Sequence, residues 1–158
     1  MAALTSQDVW DAISGEVFAV VGMVNARNEG RTADIYYLVE DRKLWFATRT
    51  SEWKTKHMVA NPNVSMTVAI PKRIPFLPFV KIPAATVTFC GTAATRTVDE
   101  VAAELYAKLS GGLENTDDAV DTTIFEITPH GDFVTYGVGV SLSEMRDTEL
   151  ARGRAPVG

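Results

Sequence analysis

The sequence predicts an α+β protein: a six-stranded, closed or nearly closed antiparallel β-barrel with helices covering its ends. Two observations support this fold class. Apolar and β-branched segments recur along the chain, and the first of them are joined by polar turns too short for parallel crossovers. Helical patterns occur at the start of the chain, after the third strand and before the sixth, where they can cover a barrel. Closure of the sheet also removes edges that can aggregate.

Length and charge restrict the possible functions. The 158 residues, 46% of them hydrophobic, suit one domain, which we expect over 1–145, followed by a polar C-terminal tail over 146–158. A formal net charge of −5 argues against a nucleic-acid partner. No apolar stretch reaches the roughly 20 residues that a membrane span needs, and the first residues lack the features of a signal peptide. We therefore expect a cytoplasmic protein with no membrane partner.

Three helices are predicted. The sequence from Thr5 to Asp8 has the spacing of a capping box, which places the first helix at 6–14. Ser51 is the predicted N-cap of a second helix that ends at Ala60, before Asn-Pro. A second capping box opens a third helix, whose apolar positions recur at helical spacing over 98–109.

The six strands are predicted from apolar and alternating segments. We expect the first three to form an antiparallel meander. The sixth resumes after a Pro-His-Gly interruption. The predicted strands are 17–24, 35–39, 44–48, 64–70, 85–93 and 122–128, the last resuming at 133–138.

The single cysteine excludes an internal disulfide. Cys90 lies in an apolar segment, and we interpret it as a small core residue rather than a reactive thiol. His57, His130 and Cys90 do not have the spacing of metal ligands, so no metal site is expected.

A run of hydroxyl and basic residues joins the third strand to the second helix. Arg49, Thr50, Ser51 and Lys54 stand where a helix N-terminus offers backbone N–H groups and positive dipole, a combination that suits a phosphate monoester. The alternative is structural: Ser51 is only a cap, and the lysines form a solvated helix face. Local spacing leaves both interpretations open.

The same segment resembles the flavin-binding segment of the pyridoxamine 5′-phosphate oxidase-like split-barrel family. In that family a strand ending in Thr is followed by Lys six residues later and by Asn-Pro seven residues after that. Here these are Thr48, Lys54 and Asn61-Pro62. The resemblance extends from Val17 to about Tyr136 and includes a strand ending in Gly-Thr-Ala, residues 91–93.

The resemblance implies a split barrel and a homodimer with two cofactor sites at the subunit interface. It implies an FMN-dependent oxidoreductase that transfers hydride to or from a small organic substrate. Because flavin carries the hydride on its own ring, no catalytic side chain is assigned. Trp53 is the candidate for stacking on the ring. The cofactor-binding residues that the resemblance and the local pattern assign together are Phe46, Ala47, Thr48, Arg49, Thr50, Ser51, Trp53 and Lys54.

One position departs from the family pattern. Many members have a small residue two positions before the lysine, and this chain has Glu52. A carboxylate next to a phosphate repels it, so either Glu52 points away or the ligand is bound differently.

Two alternatives to FMN follow from the same resemblance. The deazaflavin F420 serves related reductases, and its longer anionic tail requires a basic groove, for which the candidates include Lys56, Lys72 and Arg73. A non-catalytic carrier or sensor of flavin or haem is the second alternative, with His130 as a candidate axial ligand. The proline-rich segment 71–83, long for a connection, is expected to be a lid or a dimer contact.

Overall fold

The computed structural model describes residues 2–74, 76, 79, 82–111 and 121–158. Nine strands and four α-helices are present in these residues. In chain order they are β1 (Ala2–Ala3), α1 (Ser6–Ser14), β2 (Phe18–Val24), β3 (Gly30–Tyr36), β4 (Leu38–Glu40), β5 (Lys43–Arg49), α2 (Trp53–Ala60), β6 (Asn63–Ile70), β7 (Ala85–Arg96), α3 (Ala103–Ser110), β8 (Thr122–Tyr136), α4 (Thr148–Ala151) and β9 (Arg152–Pro156).

All nine strands belong to one sheet. The order β3-β2-β6-β7-β8-β9 is antiparallel throughout, and β1 joins β9 as a parallel neighbour. The first half of β8 also pairs with β5, which in turn pairs with β4. The predicted class, a mainly antiparallel β fold with helices, is confirmed.

The strand count differs from the predicted six for two reasons. The second predicted strand divides at Tyr37 into β3, which pairs with β2, and β4, which pairs with β5. Tyr37 is buried at this corner, and its hydroxyl donates to the carbonyl of Ile13 at 2.7 Å. The expected meander is therefore bent into two parts. The remaining additions are β1 and β9 at the chain ends.

The expected interruption at residues 129–131 does not break the last strand. β8 runs through it, and the register shifts so that Thr88 pairs with Val134 while Cys90 pairs with His130. Gly131, with φ of 76°, adopts the left-handed conformation that this irregularity requires.

The first helix begins and ends as predicted and carries its capping box. The second begins at Trp53, because the Ser51 hydroxyl donates to Asp121 Oδ2 at 2.9 Å instead of capping the helix. Glu52 occupies the N-cap position without a side-chain capping bond. The third is shorter than expected: its capping box opens a 3-10 turn, and the extended Val101 separates that turn from α3.

Residues 146–158, expected as a polar tail, contain α4 and β9 and complete the sheet. Gly153 and Ala155 are buried between exposed arginines, so the segment has the alternation of a strand despite its polar composition. The carbonyl of Val157 accepts hydrogen bonds from Trp10 Nε1 at 3.1 Å and from Ser6 Oγ at 2.8 Å.

The prediction that Cys90 is a core residue is wrong. Burial alternates along β7, and Val87 and Phe89 point inward, so Cys90 lies on the outer face and is exposed.

Two apolar clusters position the candidate site. The larger fills the barrel and includes Phe46, which stacks on Phe125 with ring centroids 5.3 Å apart. The smaller joins α3 to the outside of β5 and β8 through Leu105, Leu109 and Ile124. No helix among the described residues is long and apolar enough to cross a membrane.

Candidate functional site

The sheet opens between β3 and β5. β4 covers β5 only as far as Trp45, and within the described chain no strand pairs with β5 beyond that point on this side. A cavity of about 300 Å³ lies at the opening. It is lined by Asp34, Ile35, Tyr36, Phe46, Ala47, Lys54 and Leu109.

Lys54 spans this opening from the first turn of α2. Its Nζ donates to the carbonyl of Asp34 at 3.3 Å and lies 3.6 Å from Glu52 Oε2. The Lys54 side chain is only 18% exposed, whereas that of Glu52 is 41% exposed. The cavity therefore has one ammonium group in its wall, and a carboxylate stands on the solvent side of it.

The hydroxyls of the preceding loop are directed elsewhere. Thr50 Oγ1 and Thr123 Oγ1 are 2.8 Å apart, and Ser51 donates to Asp121. The backbone N–H of Thr50 also donates to the Asp121 carbonyl at 2.9 Å. These contacts hold the loop against the start of β8, and the structure does not bring Thr50 and Ser51 into the cavity lined by Lys54.

The other predicted residues are divided between the core, the cavity and the surface. Phe46 and Ala47 line the cavity, but the Phe46 ring itself is buried in the core. Thr48 is buried, and Arg49 is exposed at the end of β5. Trp53 stands outside the cavity lining.

Trp53 is already in contact with two polar side chains. The Arg31 guanidinium carbon lies 5.2 Å from the ring centroid, a cation–π distance, and His57 meets the ring at 5.7 Å. With 42% of its surface exposed, Trp53 still presents an apolar face to solvent.

The sequence did not predict that residues of β3 and α3 line the cavity. Asp34 and Tyr36 occupy outward positions on β3, and Leu109 comes from α3. Burial alternation on β3 was available from the sequence, but no local pattern shows that β3 faces Lys54 across a gap. That relationship depends on the order of strands in the sheet.

A second hollow lies on the outer face of the sheet. Its volume is about 510 Å³, and its lining includes Arg31, Ser65, Cys90 and His130. Cys90 and His130 are direct cross-strand partners, and both are exposed. Across the described ranges, no group of three or more His, Cys, Asp or Glu residues is placed to hold a metal ion.

The sheet forms a half-covered barrel that opens between β3 and β5, which is the architecture of a split barrel. Residues 7–132 match the pyridoxamine 5′-phosphate oxidase family over most of the chain. The chain belongs to that family. None of the curated proteins compared with it matches.

Solved structures share the fold at low sequence identity. An F420 reductase is 18% identical, with a TM-score of 0.57 over 78% of this chain and 93% of its own. The heme storage protein HutZ from Vibrio cholerae is 14% identical, with a TM-score of 0.65 over 84% and 95%. An FAD-binding protein from Mesorhizobium loti is 15% identical, with a TM-score of 0.60 over 80% and 91%. At these identities the similarity shows the fold alone.

Proposed function

We propose that the cavity between β3 and β5 binds a flavin-type cofactor and that the protein is a flavin-dependent oxidoreductase acting on a small organic substrate. The observation that carries the proposal is the position of Lys54, whose ammonium group lies where two strand edges separate. Family membership supports the same conclusion.

The donors and acceptors around the cavity suit a planar heterocycle with a phosphate tail. Asp34–Tyr36 and the end of β5 present strand edges, whose N–H and C=O groups can pair with the polar edge of a ring. Tyr36 and Leu109 supply apolar wall, and Lys54 supplies the charge for a phosphate. A bound flavin supplies hydride transfer from its own ring, so these residues need only bind and orient it.

A homodimer is part of this proposal. At about 300 Å³ the cavity is at the lower end of the range of about 300–1,000 Å³ for sites that enclose a ligand of this size. Tyr36 lines the cavity and is 72% exposed, and its ring centroid lies 5.9 Å from that of Phe18, which is 40% exposed. Exposed aromatic pairs are typical of interfaces, and a second subunit packed here provides the missing wall.

FMN is the first candidate cofactor on the sequence motif, and F420 is the alternative for the same ring and phosphate positions. Absorption spectra of the protein purified from its own organism distinguish flavin, deazaflavin and haem. Titration of the apoprotein with FMN, FAD and F420 then gives the affinities. A protein that binds none of the three contradicts the proposal.

Haem is a second candidate because of the outer hollow. His130 is exposed in its wall, and Arg31 lies in the same lining, where a guanidinium can bind a propionate. His130 would be the residue that holds the iron if haem bound there, through its imidazole. A haem titration of wild type and His130→Ala tests this. A Soret band that is unchanged by the substitution removes His130 as the ligand.

A further inference from the structure

The charge around the cavity is not that of a simple phosphate site. Among the described residues of the lining, Lys54 is the only basic one, and Asp34 lines the same cavity. Glu52 adds a second carboxylate 3.6 Å from the Lys54 ammonium. With one cation and two anions, these three side chains have a net charge of −1.

The Glu52 side chain makes no capping hydrogen bond at the start of α2, so its charge can be removed without loss of such a bond. It occupies the N-cap of α2, yet its side chain caps no backbone N–H, and 41% of it is exposed. Among the described residues, its ionic partner is Lys54. Replacing its charge therefore alters the field at Lys54 and leaves the capping of α2 unchanged.

The Glu52 carboxylate repels an anionic ligand at Lys54, and the repulsion grows with the negative charge of the ligand. A phosphate that contacts Lys54 lies within a few ångströms of the Glu52 carboxylate, since the two side chains are themselves 3.6 Å apart. A phosphate monoester carries about −1.5 to −2 at pH 7, as a phosphorylated side chain does, because its second pKa is about 6. In a diester, and in each of the two phosphates of the FAD pyrophosphate, one phosphate group carries a single charge, so the same carboxylate repels the phosphate beside Lys54 less.

We propose that Glu52 is a specificity-determining residue that makes the cavity favour flavin-type cofactors whose phosphate is a diester, such as FAD or F420, over the monoester FMN. This inference rests on the proposed function, and it reverses the order of cofactors that the motif alone gives. Glu52 contacts Lys54 and the phosphate region, and it takes no part in hydride transfer.

The test measures the affinity of riboflavin, FMN and FAD for wild type, Glu52→Gln and Glu149→Gln by fluorescence titration. Glu149 is a matched control because its exposed carboxylate lies near Arg152, away from the cavity. We expect Glu52→Gln to bind FMN roughly three- to ten-fold more tightly and FAD less than about three-fold more tightly, with riboflavin unchanged. The gain for FMN should shrink below pH 6, where the monoester gains a proton.

The outcomes separate this inference from the proposed function. If wild type binds flavins and Glu52→Gln leaves FMN affinity unchanged, or tightens riboflavin equally, the role of Glu52 is refuted and the cofactor site stands. An equal change in Glu149→Gln also refutes it, because the effect is then one of net charge. If neither these flavins nor F420 binds to any of the three proteins, the proposed function fails, and the inference fails with it.

Discussion

Lys54 Nζ donates to the backbone carbonyl of Asp34 at 3.3 Å, and this contact joins α2 to β3 across the opening in the sheet. The carbonyl belongs to a strand edge, and the Lys54 side chain is only 18% exposed. Lys54 can therefore give up its hydrogen bond to the Asp34 carbonyl and bind an anionic group instead.

Lys54→Ala should weaken the binding of a phosphate-bearing flavin by about ten- to a hundred-fold, because a charge-assisted hydrogen bond contributes about 1.5–3 kcal/mol. Lys56→Ala is the matched control. Lys56 is exposed, is absent from the cavity lining, and lies about 200° around the helix from Lys54. Fluorescence titration measures the cofactor affinity of both variants. Equal affinities for wild type and Lys54→Ala contradict the site.

The proposed dimer predicts that light scattering gives the mass of two chains down to micromolar concentration. Tyr36→Ala should raise the dissociation constant at least about ten-fold, since buried aromatic residues dominate interface energies. Leu150→Ala, at a 46% exposed position on α4, serves as the control. A wild-type monomer at micromolar concentration contradicts a cofactor site shared between subunits.

Deletion of residues 152–158 should destabilise the protein by about 3 kcal/mol or more. The deletion removes β9, the buried Ala155 and Val157, and the Val157 carbonyl that accepts a hydrogen bond from Trp10. Arg154→Ala, which removes only an exposed ion pair to Asp132, should cost less than about 1 kcal/mol. Urea unfolding measures the free energy of unfolding of both variants. A deletion variant as stable as wild type contradicts the structural role of this strand.

Gly91→Ala should destabilise the sheet by about 1–3 kcal/mol. A Cβ at Gly91 would lie 2.9 Å from Ile127 Cγ2 and 3.1 Å from the carbonyl of Thr128, so the strands must separate. At Gly30 an added Cβ meets nothing within 4 Å, and Gly30→Ala is the control. Thermal unfolding of the pair should show a loss only at position 91.

The capping box of α1 predicts a pH dependence. Hydrogen bonds from the Thr5 hydroxyl and the Thr5 backbone N–H lower the pKa of Asp8 in the folded protein. A lowered folded pKa means that the carboxylate stabilises the fold above its unfolded pKa of about 4, and that this contribution is lost as the pH falls through the folded value. Wild type should therefore exceed Asp8→Asn in unfolding midpoint at pH 7 and approach it near pH 3. A constant difference contradicts this origin.

The sequence predicts the local elements of the fold better than it predicts the site. A capping box and a following glycine locate α1 to the residue, because they depend on neighbours in the chain. The motif singles out Lys54, which lies in a cavity wall, and its role in binding a cofactor phosphate stays a prediction. Its neighbour Asp34 is 20 residues away and is brought to it only by the way β3 and β5 diverge.

The two main errors have different physical origins. The prediction for Cys90 rests on the apolar composition of its segment, whereas the alternation of Val87 and Phe89 assigns Cys90 to the outer face. β9 was missed because its inward residues are small, so its burial depends on the partner strand rather than on side-chain hydrophobicity.

β8 pairs with three other strands: β5, β7 and β9. During synthesis β5 emerges more than 70 residues before its partner, so the barrel cannot close until residue 136 has left the ribosome. Native pairing of this kind has a large sequence separation, which slows folding and prolongs the exposure of unpaired edges. The nascent chain is therefore most prone to aggregation late in translation. Slower elongation over the final third of the chain does not allow the native sheet to form any earlier.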